Sequence, residues 1–370
     1  MLVPLLVAAA VAAPPAPRVS APAIQDSPIA VTISAPRGTK RLTCSVDHAK
    51  AKTCVRFATF KANPGKHTVS VRAVNKSGRA SAARTVTVIV PARAPAPVNI
   101  GSGAQPVGLT AANGRVWVSD GPTGDVTAID AASKHVVATV HVGGQLGSVL
   151  ATGDAVWVSV FGGGTVARID AVHDVVTAQV AVGGRPTGLA IDPSGALWVG
   201  NLDGYVSRID TATGKVTGKV TLPSGASQPL ATRGLIWVGL QSGSVVTVDP
   251  ATSAITGSSI SVAQDVDALA DTSNGLWVST FSGTAALLDP TARTVTHRVK
   301  LGSSGSGLSF GNGSVWVSGY DSGLVLQLDP ATGALLGAVH TGTQPRDSVV
   351  VGSVLWVADQ GDGAVTPIPI

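Results

Sequence analysis

The sequence predicts an all-β chain on three observations. Of its 370 residues, 44 are Gly and 23 are Pro, too many helix breakers for long helices, and the abundant Val favours strands. Apolar residues make up 44% and charged residues only 13%, against about 25% charged in an average domain. That profile excludes intrinsic disorder and leaves the surface to Ser, Thr, Gly and Ala. Third, Trp117, Trp157, Trp198, Trp237, Trp277, Trp316 and Trp356 recur at spacings of 40, 41, 39, 40, 39 and 40, each followed by Val. A fixed period of about 40–50 residues, with four short strands per unit, is the signature of a β-propeller. The expected architecture is a seven-bladed β-propeller over residues 98–370, preceded by a small N-terminal β-sandwich over 27–90.

In chain order, residues 2–13 form a short apolar run, too short for a span of about 20 residues. Ala10-Val11-Ala12 fits the small-x-small pattern of signal-peptide cleavage, so residues 1–13 read as an export signal. No other stretch reads as a transmembrane segment, and the expected location is secreted or cell-envelope. Cys44 and Cys54 are the two cysteines of the chain. One pair in an exported domain reads as a disulfide.

The stretches Ile29–Ser34, Leu42–Val46, Cys54–Phe57, Lys66–Val74 and Arg84–Val90 read as strands separated by turn residues such as Asn63-Pro64-Gly65 and Asn75 to Gly78. The hairpin from Leu42 to Cys54, the strand Gly65-Lys-His-Thr-Val-Ser-Val-Arg-Ala73 and the turn Asn75 to Gly78 resemble bacterial Ig-like domains of exported proteins. The resemblance implies a spacer or adhesion module. Pro91–Pro97 reads as a stiff extended linker.

The repeat is clearest in the third unit. Strand A is Pro186–Ile191, strand B Leu197–Val199, strand C Tyr205–Asp210 and strand D Val216–Leu222, from the channel outward. Ile129-Asp130, Ile169-Asp170, Val248-Asp249, Leu288-Asp289 and Leu328-Asp329 end the matching C strands, and each Asp is placed to accept hydrogen bonds from turn amides two residues on. The last unit stops after strand C. Residues 97–100 match the end of a strand D and are expected to pair with 363–370, closing the ring and removing its exposed edges. Pro367 and Pro369 lack N–H donors, so this pairing is expected to be the weakest. The seven Trp, mid-strand and flanked by Val or Leu, are expected to form the core between blades.

The pattern Pro-x-Gly-Leu-Ala, Leu-Trp-Val, Gly-x-Val-x-x-Ile-Asp, Thr-Gly and Val-Gly-Gly-x-Pro resembles the seven-bladed propellers of the YVTN and YncE type. It is also similar to the propeller of streptogramin B (virginiamycin B) lyases. The resemblance spans residues 98–370 and speaks to the fold, because function lives in sites.

Charge divides the chain. Residues 1–97 carry 14 Lys and Arg against Asp26 and Asp47, a net +12, while residues 98–370 carry 12 against 19 Asp, a net −7. The acidic propeller is not expected to bind nucleic acid. The basic part reads either as a surface for an anionic polymer such as an envelope glycopolymer or as solvated strand edges, which carry Lys to prevent edge pairing.

In a propeller the B–C and D–A connections open on one face around the channel. Four residues past each Trp stand Gly121, Phe161, Leu202, Gln241, Phe281, Tyr320 and Gln360. The D–A side contributes Gln105, Gln145, Arg185, Gln228, Asp265, Asp267, Arg346 and Asp347. The predicted ligand-binding set is Phe161, Gln241, Phe281, Tyr320, Gln360, Gln105, Arg185, Gln228, Asp267 and Arg346. Aromatic and amide side chains suit a polar organic ligand, a glycan, a peptide or a protein.

No catalytic residue is expected. All 21 acidic residues are Asp, so Glu bases and Glu metal ligands are excluded. The resemblance to streptogramin B lyases implies a His, a Glu and a divalent metal, and this chain has no Glu to supply. His141, His297 and His340 fall on D strands, and His135 and His173 in C–D turns, away from the ligand face. No cofactor is expected; a calcium or magnesium site would have to come from Asp120, Asp265, Asp267, Asp347 and Asp359. The reading is an exported, monomeric, non-catalytic binding or scaffold protein whose partner is a cell-envelope glycan, peptide or protein. The alternative is a metal-dependent lyase or hydrolase acting on a small cyclic ester.

Overall fold

The computed structural model describes residues 12–370. The expected leader, residues 1–13, lies outside the described residues except for Ala12 and Ala13. Among the described residues no helix is long and apolar enough to cross a membrane. The structure is all-β and falls into two compact units, one built on the chain up to Ala92, the other on Arg93–Leu335 and Val339–Ile370.

Among its described residues the first unit holds two antiparallel sheets. One is ordered Arg18–Ser20, Ile29–Ser34, Phe57–Phe60; the other Lys52–Cys54, Thr39–Val46, Gly65–Asn75, Arg84–Val90. Ile29–Ser34 alternates buried and exposed at every residue, the period a half-buried strand imposes. Ile29, Val31 and Ile33 share a core with Leu42, Val69, Val71 and Val88 of the other sheet. Cys44 and Cys54 form a disulfide. The strand expected over Cys54–Phe57 is instead two. Cys54 ends a strand of one sheet, Phe57 begins a strand of the other, and Val55 and Arg56 cross between them. Val55 and Phe57 are 67% and 76% exposed. The alternation that buries Ala58 and half-buries Phe60 starts only after that crossover.

In the second unit seven antiparallel sheets follow one another in the chain. The third consists of Pro186–Ile191, Ala196–Asn201, Tyr205–Asp210 and Lys215–Thr221. The other sheets repeat this A-to-D order, and the sixth carries a short fifth strand that includes Arg93. Ala94 donates its N–H to the His340 carbonyl at 2.9 Å, so part of the stretch expected to be a linker is hydrogen-bonded to an outer strand. The last sheet takes Pro345–Val351, Val354–Asp359 and Ala364–Pro369, with Val98–Asn99 as its outer strand. Val98 pairs with Val365 and Asn99 with Ala364. The pairing is two residues long and stops before Pro367, which has no N–H to offer. The A strand of each sheet lies beside the A strand of the next, and Pro345–Val351 lies beside Pro106–Ala112, so the sheets close a ring as in a propeller.

All seven Trp are buried, and six share a core with the next sheet. Trp117 packs with Leu146, Val149 and Val158 of the second sheet. Trp157 packs with Leu197 and Val199 of the third, and Trp356 with Leu109, Val116 and Val118 of the first, across the closure. Trp277 lies against Gly333 in the sixth sheet's outer turn and donates its indole N–H to the Pro330 carbonyl there. The Asp residues that end the C strands cap their turns. Oδ1 of Asp210, for example, accepts N–H bonds from Ala212 and Thr213 at 2.9 and 3.0 Å. The same bonding recurs at Asp170, Asp249, Asp289 and Asp329. Five of the His stand where the sequence places them, three on D strands and two in C–D turns.

Candidate ligand-binding site

One backbone hydrogen bond, repeated in all seven sheets, positions the residues four past each Trp. Each stands directly after its B strand and donates its N–H to a carbonyl of the D–A connection. Phe161 donates to Gln145, Leu202 to Arg185, Gln241 to Gly225, Phe281 to Asp265, Tyr320 to Ser304 and Gln360 to Gln344, at 2.7–3.1 Å; Gly121 donates to Gln105. Asp120, Asn201 and Asp359, which end B strands, add a second tie. Their Oδ1 atoms accept N–H bonds from Gln105, Arg185 and Gly342. The two loops of each sheet are therefore knitted together at the channel mouth.

A second set of residues reaches the channel through irregularity. Each of the seven A strands shifts register near its start, at Pro106/Gly108, Leu146/Val149, Pro186/Leu189, Ala226/Pro229, Val266/Ala268, Gly305/Leu308 and Pro345/Asp347. A bulge bends the strand and re-aims side chains. Here it brings Val107, Ser148, Thr187, Gln228, Asp267, Arg346 and Asp347 onto the channel wall. The same crowding explains the Gly of the Pro-x-Gly motif. A Cβ on Gly188 would stand 2.5 Å from the Cα of Gln228, and at the matching position of the sixth sheet, where Gly305 replaces the Pro, one on Gly307 would stand 2.5 Å from the Cα of Asp347.

These two sets surround one cavity of about 630 Å³. Of the ten residues predicted to bind ligand, Phe161, Gln228, Gln241, Asp267, Phe281, Tyr320, Arg346 and Gln360 line it, together with Gln145, Leu202, Asp265 and Asp347. Gln105 and Arg185 do not line it. Gln105 is engaged through its backbone, and Arg185 turns to Asp203, with Nε 2.9 Å from Oδ1. The small residues of the bulges, Ser148, Thr187 and Ser227, are lining residues that the sequence reading missed. Pairing register, not residue type, places them there.

The wall is chemically uneven. Phe281 and Tyr320 meet at 5.8 Å between ring centroids with planes tilted by 59°. The Arg346 guanidinium lies over the Phe281 ring at 4.9 Å and reaches Asp267 at 3.4 Å, so aromatic face and carboxylate hold it from two sides. The Tyr320 hydroxyl donates to Oε1 of Gln360 at 3.0 Å. Asp347 accepts one N–H on each oxygen, from Ser348 and Leu109, both at 2.8 Å. Its deep setting nevertheless pushes its carboxyl up to about 6, helped by the negative charge of Asp267 and opposed by those backbone donors and Arg346. Burial also raises the carboxyl of Asp267, against the pull of Arg346. A fifth of the Asp267 side chain, 19%, is still open to the cavity.

Among the described residues no group of three or more His, Cys or Asp is arranged to hold a metal ion. The five Asp weighed as a calcium or magnesium set are divided. Asp265, Asp267 and Asp347 line the cavity, whereas Asp120 and Asp359 are buried and spent on loop amides and on the Thr366 hydroxyl.

No family model matches the chain, and no curated protein matches it. Among solved structures, hydrazine synthase of Kuenenia stuttgartiensis, a β-propeller-type structure, is similar to it with a TM-score of 0.66 at 16% identity. The match covers 73% of this chain and 97% of that one. At this identity the likeness carries the fold alone.

Proposed function

We propose that the protein is an extracytoplasmic recognition module that binds a polar organic ligand, a glycan or an exposed part of a protein at the mouth of its channel. In this reading residues 98–370 are a seven-bladed propeller of the YVTN and YncE type, closed by residues 97–100 against 363–370. Residues 27–90 are an Ig-like domain acting as spacer or surface anchor, 91–97 connect the two, and 1–13 direct export. The Cys44–Cys54 disulfide is compatible with an oxidising compartment. The monomer is the expected state. The observation that carries the proposal is the convergence, from successive repeats, of aromatic and amide side chains on one cavity lying within the range of about 300–1,000 Å³ typical of small-molecule sites.

A second reading, a metal-dependent lyase or hydrolase acting on a small cyclic ester, draws support from the two part-buried carboxylates of Asp267 and Asp347 on the cavity wall. A thermal-shift screen of the full chain separates the two. The panel holds cell-wall fragments, oligosaccharides, peptides and streptogramin-type lactones, each with calcium, with magnesium and with chelator. Ligand that binds only the folded state raises the melting midpoint. A chelator-insensitive shift with a glycan or peptide supports the recognition module. A shift that requires metal and a lactone overturns it in favour of the enzyme.

A further inference from the structure

The charges on the cavity wall do not balance. Asp265, Asp267 and Asp347 face it with Arg346 as the one cation among its described lining residues. Arg346 is already committed to Asp267 and to the face of Phe281. Asp265 and Asp347 are the carboxylates left over; Asp265 is exposed, and Asp347 is the part-buried one. A carboxylate offers about four lone-pair sites, and two of these are taken by the N–H groups of Ser348 and Leu109. A part-buried carboxylate that shares its nearest cation with another carboxylate is costly, and an arriving ammonium would relieve that cost.

The rest of the wall says what would carry the ammonium. Phe281 is covered by Arg346, which leaves Phe161 and Tyr320 as apolar faces for a ring to rest on. Gln145, leading into the second sheet, and Gln228 and Gln241, both of the fourth, have amides that donate and accept at once, matching hydroxyl groups, which do the same.

We propose that the ligand is a saccharide bearing a protonated amine, its ring against Phe161 or Tyr320 and its ammonium against Asp347. This deepens the recognition reading above and rests on it.

The test is calorimetric titration of the full chain with chitotriose, whose amines are free, and with tri-N-acetylchitotriose, whose amines are capped. Trilysine supplies amines without sugar. Removing one partner of a close charge pair lowers affinity by roughly tenfold or more. The expected result is chitotriose binding at least about tenfold tighter than its acetylated form, with the preference abolished in Asp347→Asn. The comparison between ligands on the unaltered protein stands even if that variant folds poorly. Equal binding of the two sugars overturns the amine inference and leaves the recognition reading intact. Trilysine binding tighter than chitotriose overturns the saccharide assignment. Binding of neither sugar overturns the inference, and the screen above then decides the wider reading.

Discussion

Replacing Trp198 by Phe and, separately, Trp356 by Phe tests how the sheets are held together. Both indoles are buried in cores between adjacent sheets, so both variants lose similar packing. They differ in one bond. The Trp198 indole N–H donates to Oδ2 of Asp192 at 2.9 Å, while the Trp356 N–H has no hydrogen-bond partner. Asp192 is 5% exposed. Its other oxygen is satisfied by the Ser194 N–H, the Ser194 hydroxyl and the Ala196 N–H, so Trp198→Phe leaves Oδ2 buried and unmatched. A hydrogen bond to a charged group is worth about 1.5–3 kcal/mol. At about 2–4 °C per kcal/mol for a unit of this size, Trp198→Phe should melt roughly 3–12 °C below Trp356→Phe. The gap has a pH signature. Burial raises the Asp192 carboxyl, but the bonds from Ser194 and Trp198 outweigh it and hold it below its usual 3.8. The stabilisation is therefore full above pH 3.8 and fades as pH falls through the lowered value, where the two variants should converge. Scanning calorimetry across pH reads both effects. Equal melting of the two variants at neutral pH would refute the reasoning.

Three further outcomes follow from other parts of the molecule. Gly188→Ala should destabilise the second unit by about 1–3 kcal/mol, because the new Cβ meets the Gln228 backbone at 2.5 Å; a wild-type denaturation midpoint would contradict the crowding account. His67 bonds Asp47 at 2.5 Å, which raises the imidazole above 6.5 despite partial burial, so its stabilisation is full below pH 6.5 and lost as pH rises through the raised value. The melting advantage of wild type over His67→Gln should shrink over that rise, and a gap independent of pH would count against it. Replacing Cys44 and Cys54 by Ser should lower the stability of the first unit by about 3 kcal/mol, the loop-closure value for a separation of 10 residues, read by denaturant titration with and without reductant.

Much of this was legible in the sequence because the repeat amplifies weak signals. One Trp-Val pair says little, but seven in register fix the B strands, and counting four residues onward reaches the cavity at Phe161, Gln241, Phe281, Tyr320 and Gln360. The Asp residues at the C-strand ends were legible for a local reason, since an Asx turn needs only its own neighbours. The bulges were not, because they are an offset between two strands and no single residue encodes them. Ser148, Thr187 and Ser227 were missed on that account. The Pro-x-Gly motif marked the place without showing that its Gly makes room for the neighbouring strand. Arg185 was placed at the mouth by loop membership, yet Asp203, in the B–C loop of the same sheet, draws it aside. The crossover at Val55 and Arg56 escaped for a related reason: it is a change of pairing partner, which no single residue encodes.

The most direct test of recognition at the channel mouth is binding of the ligand panel to the full chain carrying Phe161→Ala, Phe281→Ala and Tyr320→Ala together, beside wild type. These side chains stand on loops fixed by backbone bonds, so circular dichroism should be unchanged. The account predicts that the ligand bound by wild type is no longer bound by the triple variant. Undiminished binding by a folded triple variant would contradict it.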